Sequence, residues 1–449
     1  MNKKVGFISL GCPKNQVDTE VMLGLLKQND YTVVNRAEEA DIIVVNTCGF
    51  IEAAKQEAID TILEMGQLKQ SGSLQHLVAA GCLAQRYGQE LLQEMPELDA
   101  VVGVADFMRI AEVLDHLDTE PGLCYISELP TEFREKGLRI LTTPPGWAYL
   151  KIADGCDNRC RYCAIPGIRG RLRSRPLPEL VAEAAWLAAQ GVRELALVAQ
   201  DTTVYGQDLY KRQILPELLH EVAQVEGIEW LRIMYAHPAH LTGETIEVMA
   251  REEKVLPYLD LPVQHAADGI LEQMGRGYRG EEVLRLLERL RQTIPGLVLR
   301  STLMVGFPGE SEEDFRCLRD FVVTAQFDWL GVFTYCREEG TPAADWEETV
   351  SPEIKQRRRD ELMRLQSDIS LGLNQARQGL RTKVLVEAGQ GKGYYRGRTY
   401  HQAPAVDGFT LLKSDRPLSP GQLIEARVTG AGVYDLLAEV ERNISSGNF

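Results

Sequence analysis

Six of the nine cysteines in this 449-residue chain fall at one kind of place, just after a β-rich run and just before a helical one or a punctuated loop. Cys12, Cys48 and Cys82 do so singly, in Ser-Leu-Gly-Cys-Pro-Lys-Asn, Val-Asn-Thr-Cys-Gly-Phe and Ala-Ala-Gly-Cys-Leu. Cys156, Cys160 and Cys163 do so together, in Asp-Gly-Cys-Asp-Asn-Arg-Cys-Arg-Tyr-Cys-Ala-Ile-Pro. Strand, turn and helix in repetition build a parallel sheet, and all strand ends of one sense then lie on one sheet edge, where ligands bind. The placement predicts α/β layers whose cysteines converge on those edges.

Hydrophobic periodicity divides the chain into an N-terminal, a central and a C-terminal part. Over residues 1–117, strands are expected at 4–9, 31–34, 41–46, 77–80 and 100–104, with helices at 17–28, 52–64 and 85–94, an open α/β domain. Residues 118–147 carry Glu-Pro-Gly, Leu-Pro and Thr-Thr-Pro-Pro-Gly without sustained periodicity and read as a linker. A second series over 148–376 places strands at 149–153, 194–198, 231–235, 258–262, 297–305 and 329–334, then a long charged helix over 352–375. Six β/α units are fewer than the eight of a closed barrel, so a partial (β/α)6 barrel is expected. Short strands with Gly-rich turns over 378–446 suggest a five-stranded OB-like β-barrel.

Composition narrows the partners. Lys and Arg number 49 against 65 Asp and Glu, a formal charge of −16, which disfavours broad binding to polyanionic nucleic acid. From Leu380 onward nine Lys and Arg face seven Asp and Glu, a net of +2, so no dedicated nucleic-acid binding is expected of the terminal barrel. No apolar run approaches the roughly 18 to 20 residues that span a bilayer. The run from Val5 to Leu10 is too short for the apolar core of a secretory signal, so a cytoplasmic protein without a membrane partner is expected. In a reducing compartment cysteines read as metal ligands or reactive thiols before disulfides.

The C-x-x-x-C-x-x-C run at 156–163 has helical spacing, but Gly155, Asp157, Asn158 and Pro166 describe a loop, and loops rich in cysteine are poor core material. Zinc favours four closed ligands, or three plus water with His or carboxylate in the set, and no fourth group lies in this loop. Three thiolates on a four-iron cluster leave one iron open, where an amine and a carboxylate of a small molecule can chelate. Cys12, Cys48 and Cys82 likewise supply three ligands from three β/α turns, a second cluster with an open iron suited to holding an extra sulfur.

The 156–163 run resembles the signature of the radical S-adenosylmethionine superfamily, with Tyr162 at its usual aromatic position. The whole chain resembles the methylthiotransferase family, and its terminal barrel a TRAM domain. Gly-Cys-Pro-Lys-Asn (11–15), Asn-Thr-Cys-Gly-Phe-Ile (46–51), Ala-Gln-Asp-Thr (199–202), Leu-Pro-Val-Gln-His (261–265) and Val-Gly-Phe-Pro-Gly-Glu (305–310) are most similar to the branch that acts on a ribosomal protein. The resemblance implies two [4Fe-4S] clusters, S-adenosylmethionine as co-substrate, and insertion of a methylthio group at the β-carbon of an aspartate in the twelfth protein of the small ribosomal subunit. A basic ribosomal protein also suits the chain's negative charge. The alternative is a branch that modifies adenosines of transfer RNA; a non-catalytic iron-sulfur redox sensor or RNA-binding module is a third reading. A reductant protein and an accessory protein are further expected partners.

Strand ends supply the remaining candidates. By resemblance, Tyr162, Gln200, Asp201, Gln264, His265 and Gly306 are expected to hold S-adenosylmethionine, although a buried histidine such as His265 or His237 more often has a hydrogen-bonded structural role. Arg159, Arg161, Arg169, Arg171, Arg173 and Arg175 fall in one acid-free stretch, and the alternation from 169 to 175 predicts four of them on one side of an extended segment. Cys124, Cys317 and Cys336 have no partner at metal-ligand spacing.

Overall fold

The structure, a computed structural model, describes residues 3–441 apart from 73, 121 and 136–138. It holds three sheets of five or six strands and one two-stranded ribbon. No helix among the described residues is long and apolar enough to cross a membrane.

The N-terminal sheet is wholly parallel, with the strand Lys4–Ser9 between Thr32–Val34 on one side and Ile42–Thr47 on the other, followed by His76–Gly81, Ala100–Val102 and Leu123–Tyr125. Strand order reverses beside Lys4–Ser9, and a crevice opens at the carboxyl ends there. Cys12 follows that strand and Cys48 follows its neighbour. The sixth strand corrects the expected linker. Between the Glu-Pro-Gly and Leu-Pro breaks, Leu123, Cys124 and Tyr125 pair with Ala100, Val101 and Val102. Further along the same segment, Arg139 donates to Glu183 Oε1 at 2.7 Å and to the Tyr149 carbonyl at 2.6 Å, and Glu20 accepts from the Thr142 amide at 2.8 Å. That stretch is bolted between the two α/β layers.

The central sheet runs in chain order from Trp147–Lys151 through Glu194–Val198, Trp230–Ile233, Val255–Asp260 and Val298–Val305 to Trp329–Thr334, all parallel. Its outer face packs against its own helices in the largest apolar core, where Leu180, Leu187, Leu218, Leu287 and Leu318 are buried. Six strands leave the barrel open, and its inner face is covered by neighbours: Val17 from the N-terminal helix and Leu385 and Ala403 from the terminal barrel pack against Tyr149, Val198 and Tyr258. The helix Pro13–Gln28 is therefore buried around most of its circumference, including Lys14, Asn15, Asp18 and Glu20. Such polar burial requires partners, and Lys151 Nζ donates to Asp18.

The strands Arg381–Gly391, Tyr394–Arg398, Thr410–Lys413, Leu423–Ala431 and Leu436–Val440 close into the five-stranded barrel that the sequence pattern suggests; residues 442–446 of that expectation lie outside the described residues. Arg398 joins it to the central sheet through Glu194 at 2.8 Å, and Arg232 of the sheet donates to the same carboxylate at 2.7 Å. The long helix Pro352–Ala376 precedes it.

Candidate functional site

The two cysteine triads open onto one cavity of about 360 Å³, lined by Cys12, Cys48, Cys82, Cys156, Cys160 and Cys163. All nine cysteines are free thiols. Three separate turns converge on the first triad because small residues let them. A Cβ on Gly11, whose φ is +87°, would fall 2.7 Å from the Cys48 Cβ, and one on Gly49 would fall 2.9 Å from the Cys82 carbonyl oxygen. Asn15 clamps the same edge, donating from Nδ2 to the Thr47 carbonyl at 2.9 Å while its Oδ1 accepts from Cys82 Sγ at 3.5 Å. The second triad lies on a loop fixed at both ends. The Cys156 amide donates to the Gly170 carbonyl at 3.0 Å, and the Arg161 amide to the Met274 carbonyl at 3.0 Å.

Burial pushes the thiols up, to about 12 for Cys82 and Cys163 and about 11 for Cys156, and raises Cys48 as well. Buried thiols with raised values bind metal with release of protons. A tetrahedral zinc with bonds of about 2.3 Å would draw its thiolates to roughly 3.8 Å of one another. Among the described residues neither triad has its three sulfur atoms all within 4.8 Å, so neither is collapsed onto a single-ion site. Three thiolates spread around a void fit a multi-iron core.

Each triad has one buried arginine. Arg169 donates to both oxygens of Asp154 at 3.1 Å, to Asp18 Oδ2 at 2.8 Å and to Asn15 Oδ1 at 2.6 Å, and its charge opposes the upward push on Cys82. Arg276 donates from Nη1 to Cys160 Sγ at 3.4 Å, from Nε to the Tyr278 hydroxyl at 2.7 Å and from Nη2 to the Pro262 carbonyl at 2.7 Å. Lys14 also lines the cavity, its Nζ 3.4 Å from the centroid of the Tyr235 ring. Burial lowers the Lys14 value while negative charge on Cys12 raises it, and an anion beside Nζ would raise it further.

The six residues expected to hold S-adenosylmethionine divide into two groups. Tyr162, Gln200 and Gln264 line the cavity. Gln200 Nε2 donates to Asp154 Oδ1 at 2.9 Å, leaving its buried Oε1 without a partner among the described residues. Gln264 holds a φ of +73°, with the Met304 amide donating to its carbonyl at 2.7 Å. Asp201, His265 and Gly306 are set behind the wall. Asp201 accepts from Asn158 Nδ2 and His240 Nδ1 at 2.8 Å each and from Thr203, so it anchors the cysteine loop through Asn158. Burial pushes the Asp201 carboxyl up, but the His240 hydrogen bond holds it below its ordinary range. Asp201, His237 and His240 lie close enough to cage an ion, but these bonds and the Ala239 amide on His237 Nδ1 at 3.2 Å already engage them as a hydrogen-bonded node. His265 Nδ1 accepts from the Ala267 amide at 3.0 Å, and the Gly306 amide donates to Glu310 at 2.5 Å, both in a layer away from the cavity.

The arginine stretch also departs from expectation. Arg169 ends the short helix Ile165–Arg169 and Arg173 lies in the strand Arg173–Ser174, both buried, whereas the Arg171 side chain is 90% exposed. An intervening helix end breaks the alternation that an extended segment would have kept. Cys124, Cys317 and Cys336 are exposed and away from the cavity. Lys14, Tyr235 and Arg276 are among the lining residues that sequence reasoning did not single out. Lys14 was visible only as a letter of Gly-Cys-Pro-Lys-Asn, and Arg276 only as a cation between Gly275 and Gly277.

Comparison with known proteins matches residues 4–103 to "Uncharacterized protein family UPF0004", residues 150–322 to the Radical SAM superfamily and residues 379–440 to the TRAM domain. The chain is 50% identical over 437 residues to the ribosomal protein uS12 methylthiotransferase RimO of Syntrophomonas wolfei, covering 97% of this chain and 100% of that one. It is 49% identical to the protein of that name from Acetivibrio thermocellus, covering 98% and 99%. Among solved structures it is similar in fold to the radical S-adenosylmethionine methyltransferase TsrM from Kitasatospora setae, with a TM-score of 0.57 at 16% identity over 77% of each chain.

Proposed function

The chain belongs to the ribosomal protein uS12 methylthiotransferase (RimO) family of radical S-adenosylmethionine enzymes, and from that premise we propose that it inserts a methylthio group at the β-carbon of an aspartate of uS12, the twelfth protein of the small ribosomal subunit. The observation that carries this reading is the single cavity shared by two cysteine triads, which lets sulfur delivery and hydrogen abstraction act on one carbon. Cys156, Cys160 and Cys163 would hold the [4Fe-4S] cluster that binds S-adenosylmethionine, and Cys12, Cys48 and Cys82 a second. Cluster and S-adenosylmethionine together supply, when bound, one-electron reduction of a sulfonium and hydrogen abstraction from an unactivated carbon.

The chain's own residues position and shield. Asn158, held by Asp201, sets the cysteine loop, and its amide donates to Cys156 Sγ at 3.4 Å. Arg276 places positive charge on Cys160, and Gln200 and Gln264 offer amide groups to a polar ligand. Tyr162, Phe50 and Tyr235 supply apolar wall that keeps water from the reacting atoms. The target carbon must lie within about 3 to 4 Å of the abstracting atom, so these contacts control the outcome by holding geometry. A reductant protein supplies the electrons.

Anaerobic incubation of the reduced, iron-loaded enzyme with S-adenosylmethionine and either uS12 or transfer RNA tests the proposal. A methylthio mass gain on the uS12 aspartate is expected; a gain on transfer RNA alone would overturn it.

A further inference from the structure

Three cations line the cavity, and two of them are engaged by the protein. Arg169 is bound by Asp154 and Asp18, and Arg276 by a phenol, a carbonyl and Cys160. Lys14 is 6% exposed, yet its ammonium makes no hydrogen bond and no ion pair among the described residues and lies over the face of the Tyr235 ring. A ring face compensates only part of what water gives an ammonium group, so a buried lysine of this kind is built for an anion that arrives from outside. The carboxylate of S-adenosylmethionine is one candidate, but by the radical chemistry above it is engaged, with the amine, at the open iron. The substrate aspartate brings another carboxylate, bonded directly to the carbon that is modified.

We infer that Lys14 receives the carboxylate of the substrate aspartate and thereby selects that residue, an inference that rests on the uS12 reading of this site. Lys14 sits two residues from Cys12 on the wall shared with the second triad. A carboxylate held at Nζ fixes the β-carbon one bond away, inside the same cavity. An adenosine base offers no such anion, so the residue also bears on the choice between protein and RNA.

The test is equilibrium binding of uS12 to the iron-loaded enzyme, read by fluorescence anisotropy under anaerobic conditions, with iron content measured for every variant. Wild-type enzyme should bind uS12 carrying Asn in place of the target aspartate at least about 30-fold more weakly than the natural protein. Lys14→Met should lose a similar factor for natural uS12 and no longer distinguish Asp from Asn, while Lys14→Arg restores part of the preference. Equal binding of the Asp and Asn forms by wild-type enzyme overturns the inference whether or not any variant folds. So does a Lys14→Met enzyme that loads iron and keeps the preference. If wild-type enzyme neither binds nor modifies natural uS12, the functional reading itself is what fails.

Discussion

The two triads bring three thiols each to one cavity by opposite architectures. Cys156, Cys160 and Cys163 lie within eight residues on a loop, and their relative positions depend on local anchors such as Asn158 and the Arg276 contact. Cys12, Cys48 and Cys82 come from the carboxyl ends of three parallel strands and are spaced by the sheet itself. Their arginines differ in the same sense. Arg169 spends its charge on Asp18 and Asp154, whereas no carboxylate pairs with Arg276 among the described residues. A sheet-built triad whose arginine is neutralised suits holding a sulfur in place. A loop triad beside an uncompensated cation suits accepting an electron, because nearby positive charge favours the reduced, more negative state.

The largest expected effect separates the two. Cys156→Ala should abolish formation of 5'-deoxyadenosine and methionine from S-adenosylmethionine while keeping about half of the bound iron. Cys48→Ala should also keep about half of the iron and continue to cleave S-adenosylmethionine, yet transfer no methylthio group. Iron and sulfide analysis with product chromatography reads both. Loss of all iron in either variant would show that the triads do not load independently.

This asymmetry decided what the sequence could disclose. The loop triad is legible from spacing alone, and the scattered triad becomes legible once each cysteine is seen to follow a strand. Six parallel strands, the open barrel and the closed terminal barrel follow from periodicity in the same way. What stayed hidden is what distant segments bring together. Arg276 reaches Cys160 across 116 residues, and Arg169 reaches Asn15 across 154. Gly306 directly follows its strand, whereas Asp201 and His265 lie beyond the strands Glu194–Val198 and Val255–Asp260, in turns whose successive residues face either the cavity or the layer behind it. The strand Leu123–Tyr125 is invisible because it lies in a stretch punctuated by Glu-Pro-Gly and Leu-Pro, with no helical period after it to mark a β/α unit.

The arginines sharpen the comparison at a smaller scale. Arg276→Gln should move the midpoint potential of the Cys156/Cys160/Cys163 cluster to a more negative value by about 60 mV, a tenfold change in a one-electron equilibrium. Cleavage of S-adenosylmethionine should then slow with a weak reductant and recover with a strong one. Arg169→Gln should shift the potential of the other cluster by less than half as much, since Asp18 and Asp154 already offset that charge. Potentiometric titration followed by electron paramagnetic resonance checks both, and equal shifts would remove the distinction drawn between the two sites.

The smallest effect concerns the loop side alone. His237 lines the cavity, stacks on His240 with ring centroids 4.4 Å apart, and is pushed down to about 3 by burial, with the positive charge of Arg276 adding to the effect. A histidine whose folded value lies below its unfolded value of about 6.5 contributes stability that is complete above that pH and is lost as the pH falls toward the folded value. In this window the unfolded chain takes up a proton that the folded chain refuses, so each unit of acidification costs up to about 1.4 kcal/mol per such group. His401, buried in the connection between the barrel strands Tyr394–Arg398 and Thr410–Lys413 and also pushed down by burial, adds a second slope of the same sign. His237→Asn keeps an acceptor near Nδ1 for the Ala239 amide but removes the titration. Denaturant unfolding between pH 7 and pH 5 should therefore show a shallower loss of stability in the variant than in the wild type. An unchanged slope would mean that the imidazole takes up its proton in the folded state and that the charge on Arg276 does not reach it.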